Sequence, residues 1–352
     1  MNRFLFRALR DYEIKVHELS YLFWECTTRC NLSCRHCGSD CTVVSREKDM
    51  PLEDFLGAVD TIPAKERPKD FIVVLTGGEP LLRPDIEQVG CAIRDRGLRW
   101  GMVSNGWFYD EVMHARLMAA GLSALTVSLD GLKESHDWMR GRPGSYERAL
   151  RAISVMSADP RLNSDVVTCV NRRNLGELSE IWAMLEAMGV RQWRLFTIIP
   201  IGRAANDPEM RLEPDELRSL MDFIAEKRAA GGRMRVTFSC EAFVGPYEER
   251  VRSYRFFCHA GINIASILID GRISACPNID RDAFAQGNIY KEKFWDVWQS
   301  RFLPFRDREW ARRSGSCAEC KHWRDCLGGG LHGWHSGHLL ECHMAKLSAP
   351  VK

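Results

Sequence analysis

The chain has 352 residues, 45% of them hydrophobic, enough for one large domain or two ordinary ones. Its 49 basic and 47 acidic residues nearly cancel, which argues against a nucleic-acid partner and against a disordered charged tail. The opening MNRFLFRALRDYEIK is charged and lacks the apolar core of a signal peptide, and no run of about 18 apolar residues follows, so no membrane association and a cytoplasmic location are expected.

Residues 1–20 read as a lead segment. Between about 20 and 200, apolar or β-branched runs begin at Tyr21, Phe71, Leu98, Ser123, Asp165 and Gln192. Stretches with helical spacing of apolar residues separate them, several ending at glycine, a common helix terminator. The alternation predicts six βα units and a parallel sheet with right-handed crossovers. Six units are too few for a closed eight-stranded barrel. An α/β fold with a partial (β/α)6 TIM-like barrel fits, and a doubly wound open sheet is the alternative. EPDELRSLMDFIAEKRAAGG reads as one long helix closing a region expected to span 21–233. From 234 to 352 the rhythm breaks into short strands and loops, a small α+β module. There INIASILIDGRISACP reads as a hairpin turning at Asp270-Gly271.

The 14 cysteines are poor candidates for disulfides in a reducing compartment. Five fall within Cys26–Cys41 and six between Cys258 and Cys342, leaving only Cys91, Cys169 and Cys240 between. Cysteines used as small core residues would scatter, so two clusters point to metal. Cys30, Cys34 and Cys37 directly follow the first strand. Three thiolates suit a 4Fe–4S cluster with one iron left open, whereas zinc takes four ligands, and Cys26 or Cys41 could supply the fourth. Count alone leaves both metals open. Cys26 is expected to be a core thiol and Cys41 an exposed loop residue.

The C-x3-C-x2-C spacing, with His36 before the last cysteine, resembles the signature of the radical S-adenosylmethionine (SAM) superfamily, and the βα units resemble its partial barrel. Gly77-Gly78-Glu79-Pro80 after the second strand looks like that family's GGEP motif. The resemblance implies that its backbone and acidic side chain hold the SAM ammonium. Ser104-Asn105 at the end of the third strand resembles the ribose and methionine contacts. Ser128 and Asp130 end the fourth strand, and Ser128 with Arg140 resembles the pair that receives the SAM carboxylate. A guanidinium suits that task because it grips a carboxylate with two hydrogen bonds. All these residues follow strands, where such sheets place ligand sites.

The second cluster resembles the SPASM extension. Cys317, Cys320, Cys326 and Cys342 match the four ligands of one auxiliary 4Fe–4S cluster, with structural zinc as the alternative. Trp323 and Trp334 interleave with them and are expected to pack beside it. A second auxiliary site retains only Cys258 and Cys276, because Gly261 and Gly330 stand where further cysteines are expected. An incomplete or 2Fe–2S cluster, or none, is implied there, with His259, His332 and His335 as substitute ligands.

The resemblance implies reductive cleavage of SAM to a 5′-deoxyadenosyl radical that abstracts hydrogen from a peptide or small protein substrate. It implies a flavodoxin- or ferredoxin-type electron donor. The short lead segment leaves peptide recognition to the barrel or to a separate protein. Cofactor or heme biosynthesis is the enzymatic alternative, and a zinc-stapled, non-catalytic binding protein the alternative of another class.

Overall fold

The computed structural model describes residues 3–350 apart from 46, 240 and 314, so Cys240 lies outside the described residues. Helix α1 (Arg3–Val16) leads into strand β1 (Tyr21–Thr27). Then come α2 (Leu52–Asp60), β2 (Ile72–Gly77), α3 (Ile86–Asp95), β3 (Arg99–Ser104), α4 (Glu111–Ala119) and β4 (Leu122–Ser128). Helices α5 (Lys133–Arg140) and α6 (Ser145–Ala158) precede β5 (Asn163–Cys169), α7 (Leu178–Ala187) and β6 (Gln192–Phe196). The six expected strands are therefore present. The long helix is α8 (Pro214–Ala230), opened by Pro214 and by a reciprocal cap between Glu213 and Glu216.

The strands β1 to β6 lie side by side in chain order, every neighbouring pair parallel. A doubly wound sheet would reverse its order at a switch point. This one does not, and the barrel-type arrangement follows. Two strands from beyond residue 234 extend it. β7 (Arg235–Phe238) pairs parallel with β6, and β8 (Ile264–Ile267) pairs parallel with β1 on the opposite edge. β8 then turns through Asp270-Gly271 into antiparallel β9 (Arg272–Ser274), followed by β10 (Gly287–Asn288). The sheet thus runs through ten strands and across the boundary expected at 233/234. β7 is only four residues long, too short to show a period in the sequence, whereas β8 and β9 form the hairpin expected at Asp270-Gly271.

The core lies between the sheet and the flanking helices. Trp24 of β1 is fully buried and stacks on Phe55 of α2 with ring centroids 4.1 Å apart. Val73, Leu75, Trp100, Leu125, Val166 and Trp193 continue the buried layer from strand to strand. The lead segment is a helix that docks on the C-terminal module. Arg7 pairs with Asp325 at 2.8 Å, and Arg10 Nη1 donates to the Arg324 carbonyl. Among the described residues no helix is long and apolar enough to cross a membrane.

Candidate active site

The sequence-selected residues converge at the C-terminal ends of β1 to β4. The loop after β1 carries Cys30, Cys34 and Cys37 and folds back on itself, with the Cys30 N–H donating to the Thr42 carbonyl at 2.8 Å. It rests on the end of α5, since Ser33 and Arg35 N–H groups donate to the Arg140 and Met139 carbonyls. The loop after β6 holds it from the other side, with Arg203 Nε donating to the Cys34 carbonyl at 2.7 Å. Three separate elements therefore hold the cysteine loop in place.

GGEP forms the adjoining wall. A Cβ on Gly77 would lie 2.0 Å from the Thr27 carbonyl oxygen, and one on Gly78 2.1 Å from that of Arg29. Only glycine allows this strand end so close to the cysteine loop. Gly78→Ala is expected to lower Tm by roughly 10 °C, whereas Gly57→Ala, inside α2 with open space around it, should hold or slightly raise Tm in the same melting experiment.

Glu79 is completely buried. Its carboxylate accepts from Ser104 Oγ at 2.9 Å and from the backbone N–H groups of Leu81 and Asn105 at 3.2 and 2.7 Å. Burial pushes its pKa up to about 7, against the opposing effect of those donors. Asn105 Nδ2 in turn donates to Asn31 Oδ1 at 2.9 Å and lies 3.9 Å from Cys30 Sγ. Glu79, Ser104, Asn105 and the cysteine loop thus form one hydrogen-bonded unit.

Ser128 closes β4, and two residues on Asp130 makes the second unit. Arg140 Nη2 lies 2.6 Å from Asp130 Oδ2, both groups are buried, and Arg140 Nη1 donates towards Cys34 Sγ at 3.6 Å. Burial alone would raise the Asp130 pKa, but Arg140, His36 and His136 hold it below the usual carboxylate range. Arg140 Nε is buried without a hydrogen-bond partner among the described residues. A spare donor in a buried guanidinium fits a carboxylate ligand.

The two cysteine sets differ from a preformed zinc site. Tetrahedral zinc with 2.3 Å bonds to sulfur needs thiolates about 3.8 Å apart. No three of Cys30, Cys34, Cys37 and Cys41, nor of Cys317, Cys320, Cys326 and Cys342, lie within 4.8 Å of one another. The thiols of each set nonetheless perturb one another's ionisation, so they face a common space. Neither set is drawn together as a single-ion site in this structure. The single tight group among the described residues is His36, Asp130 and Cys169. There Arg140 already supplies the positive charge, which disfavours a cation.

Cys26 is a core thiol whose Sγ donates to the Thr76 carbonyl, as expected. Cys41 is not exposed. It is buried beside Cys37, whose pKa falls to about 5 chiefly through the hydrogen bond from Cys41. The backbone bridge between Arg29 and Thr42 turns Cys41 inward, a tertiary contact with no local sequence signal. Trp334 is buried against Cys317, with Trp323 packed on the same cluster.

Sequence reasoning missed a polar group where β6 and β7 end. Thr197 donates through N–H and Oγ1 to Glu241 Oε2 at 2.8 and 2.7 Å, and His343 Nε2 lies 2.8 Å from Thr197 Oγ1. Burial pushes the Glu241 pKa up to about 8. A carboxyl raised in the folded state stabilises fully below its unfolded pKa and loses that contribution as pH rises through the folded one. The Glu241 contribution to stability should therefore fall as pH rises from about 5 to 8. In Glu241→Gln the slope should be shallower, as read from denaturant midpoints across that range. Asp280 caps the short helix Arg281–Phe284 and pairs with His335 at 3.2 Å. A cleft of about 430 Å³ between α2 and the segment 289–294 contains none of these residues.

The profile of the radical SAM superfamily matches residues 24–185, and that of the SPASM iron–sulfur cluster-binding domain matches 258–321. The mycofactocin maturase MftC of Mycolicibacterium smegmatis is 31% identical over 328 residues, 92% of this chain and 81% of that protein. The chain belongs to the radical SAM superfamily. As a member it is an enzyme that binds SAM and a 4Fe–4S cluster, with an auxiliary cluster in its SPASM domain. The AdoMet-dependent heme synthase of Nitratidesulfovibrio vulgaris is 26% identical over 327 residues, 87% of this chain and 85% of that protein. The fold is shared with Streptococcus suis SuiB bound to its precursor peptide SuiA, with a TM-score of 0.69 at 15% identity over 92% of this chain and 75% of that one.

Proposed function

We propose that this radical SAM enzyme modifies a peptide or small protein by hydrogen abstraction, with Cys30, Cys34 and Cys37 holding the SAM-binding cluster and Cys317, Cys320, Cys326 and Cys342 the auxiliary one. The observation that carries the substrate class is the 31% identity to a maturase across 92% of the chain. SuiB, which shares the fold, binds a precursor peptide and supports the same class.

When bound, cluster and SAM supply an electron and a 5′-deoxyadenosyl group that takes hydrogen from an unactivated C–H bond. The chain's own residues do the positioning. Glu79 ties the ends of β2 and β3 together and offers carboxylate charge near the cysteine loop. Arg140 offers the spare guanidinium N–H to a carboxylate, while Asp130 fixes its orientation. The electron comes from a flavodoxin- or ferredoxin-type donor. Recognition of a leader sequence falls to the barrel or to a separate protein, and the enzyme works in the cytoplasm.

A second reading, heme or other cofactor biosynthesis, is favoured by the 26% identity to a heme synthase over 87% of the chain. Co-expression with a small protein encoded at the same locus, followed by mass spectrometry, separates the two. A mass change that requires Cys30 supports peptide modification. An unmodified peptide together with turnover of an iron porphyrin supports the second.

A further inference from the structure

A SPASM domain invites a second auxiliary cluster, and Cys258 and Cys276 were its remaining candidates. Their surroundings do not fit one. A Cβ on Gly261, where φ is +78°, would lie 2.2 Å from Phe305 Cβ and 2.6 Å from its Cγ. A Cβ on Gly330 would lie 2.3 Å from the Glu241 carbonyl oxygen, which already accepts from the Gly330 N–H at 2.9 Å. Neither position has room for any side chain, so neither is a cluster ligand lost by a simple exchange.

The space is filled by the segment around the short helix Leu303–Arg306. Phe305 is fully buried, with its ring 5.2 Å from that of Phe302 and 5.8 Å from that of Phe284. Arg306 Nε donates to the Gly261 carbonyl at 3.1 Å, and its Nη2 to Trp298. Arg308 Nε donates to the Phe305 carbonyl at 2.8 Å, and Nη1 reaches the Gly329 carbonyl at 3.4 Å. The two glycine loops are thus pinned by arginines from one plug. A residual cleft lined by Cys258, Phe305, Arg306, Arg308 and Cys326 holds about 10 Å³, room for about one water. Two of the three histidines are engaged elsewhere. His335 pairs with Asp280, and His259 packs on Phe257 with ring centroids 3.9 Å apart. His332 lies against Gly330, with Cε1 2.6 Å from where a Cβ there would stand, and its Nε2 is buried with no hydrogen-bond partner among the described residues.

We infer that this site is a packed protein junction, with Phe305, Arg306 and Arg308 where a cluster would sit, and that the enzyme carries two clusters rather than three. Cys258 and Cys276 are then ordinary thiols, and an electron leaving the substrate has a single auxiliary cluster to reach. The inference concerns metal content and is independent of the substrate class.

The test is iron and acid-labile sulfide per chain in the full-length protein, anaerobically reconstituted and desalted, beside Cys258→Ser/Cys276→Ser and Cys317→Ser/Cys320→Ser prepared in parallel. The expected result is about eight irons for two 4Fe–4S clusters, unchanged in the first double variant and roughly halved in the second. Loss of two to four irons on removing Cys258 and Cys276 would overturn the inference. Mössbauer spectra of the ⁵⁷Fe-loaded wild type give a readout without any substitution. Components of two 4Fe–4S clusters only are expected, and a third cluster component, 2Fe–2S included, would overturn it.

Discussion

Cys34→Ala is expected to abolish reductive SAM cleavage, by on the order of 10³-fold or more, which corresponds to about 4 kcal/mol of barrier. Cys34 is the central thiol of the loop. It is buried, its backbone carbonyl is held by Arg203 and its Sγ faces Arg140. Burial raises its pKa while Arg140 opposes the rise, so the guanidinium helps keep the thiolate that iron requires. The variant should lose the SAM-responsive EPR signal of the reduced protein and about four irons. Its auxiliary cluster, with ligands some 280 residues further along the chain, should keep the remaining iron. Retention of SAM cleavage at near wild-type rate would show that Cys34 is not a ligand.

Arg140→Leu carries the largest expected cost in stability. It leaves Asp130, which is completely buried, without its counter-ion, and breaking a buried pair in this way costs about 3–5 kcal/mol. The pH dependence identifies the cause. In the wild type Asp130 has a depressed pKa, so its contribution is present above the unfolded value of 3.8 and lost as pH falls. Without Arg140, burial dominates and the pKa rises. The wild-type Asp130 contributes no slope between pH 7 and 5, so the variant should gain more stability than the wild type does on acidification across that range. Asp130→Asn/Arg140→Leu should recover much of the loss, because no buried charge remains. Urea midpoints of the single and double variants at both pH values check this. A single variant with unchanged midpoint would mean that the pair is not buried in solution.

The barrel was largely legible because each strand is bounded by turn residues and followed by a helix with a 3.6-residue period. The site was legible for a related reason. Cys30, Glu79, Asn105 and Ser128 each stand at or just past the end of a strand, and a parallel barrel brings all such positions to one rim. What stayed hidden depends on contacts distant in sequence. Cys169 also ends a strand and joins His36 and Asp130, and the same strand-end rule applied to β5 would have found it. Glu241 and His343 meet through Thr197 only because β7 adds to the sheet edge and the C-terminal module folds over it. Gly261 and Gly330 read in sequence as absent ligands. Only the Phe305 ring and the Glu241 carbonyl show that the space itself is filled.

The central claim is that Cys30, Cys34 and Cys37 support radical initiation. It is tested most directly by quantifying 5′-deoxyadenosine from the reconstituted, dithionite-reduced protein incubated anaerobically with SAM. The expected result is formation of 5′-deoxyadenosine that needs reductant and disappears in Cys30→Ala. Fully iron-loaded protein that forms none, or a Cys30→Ala variant that forms as much as the wild type, would contradict it.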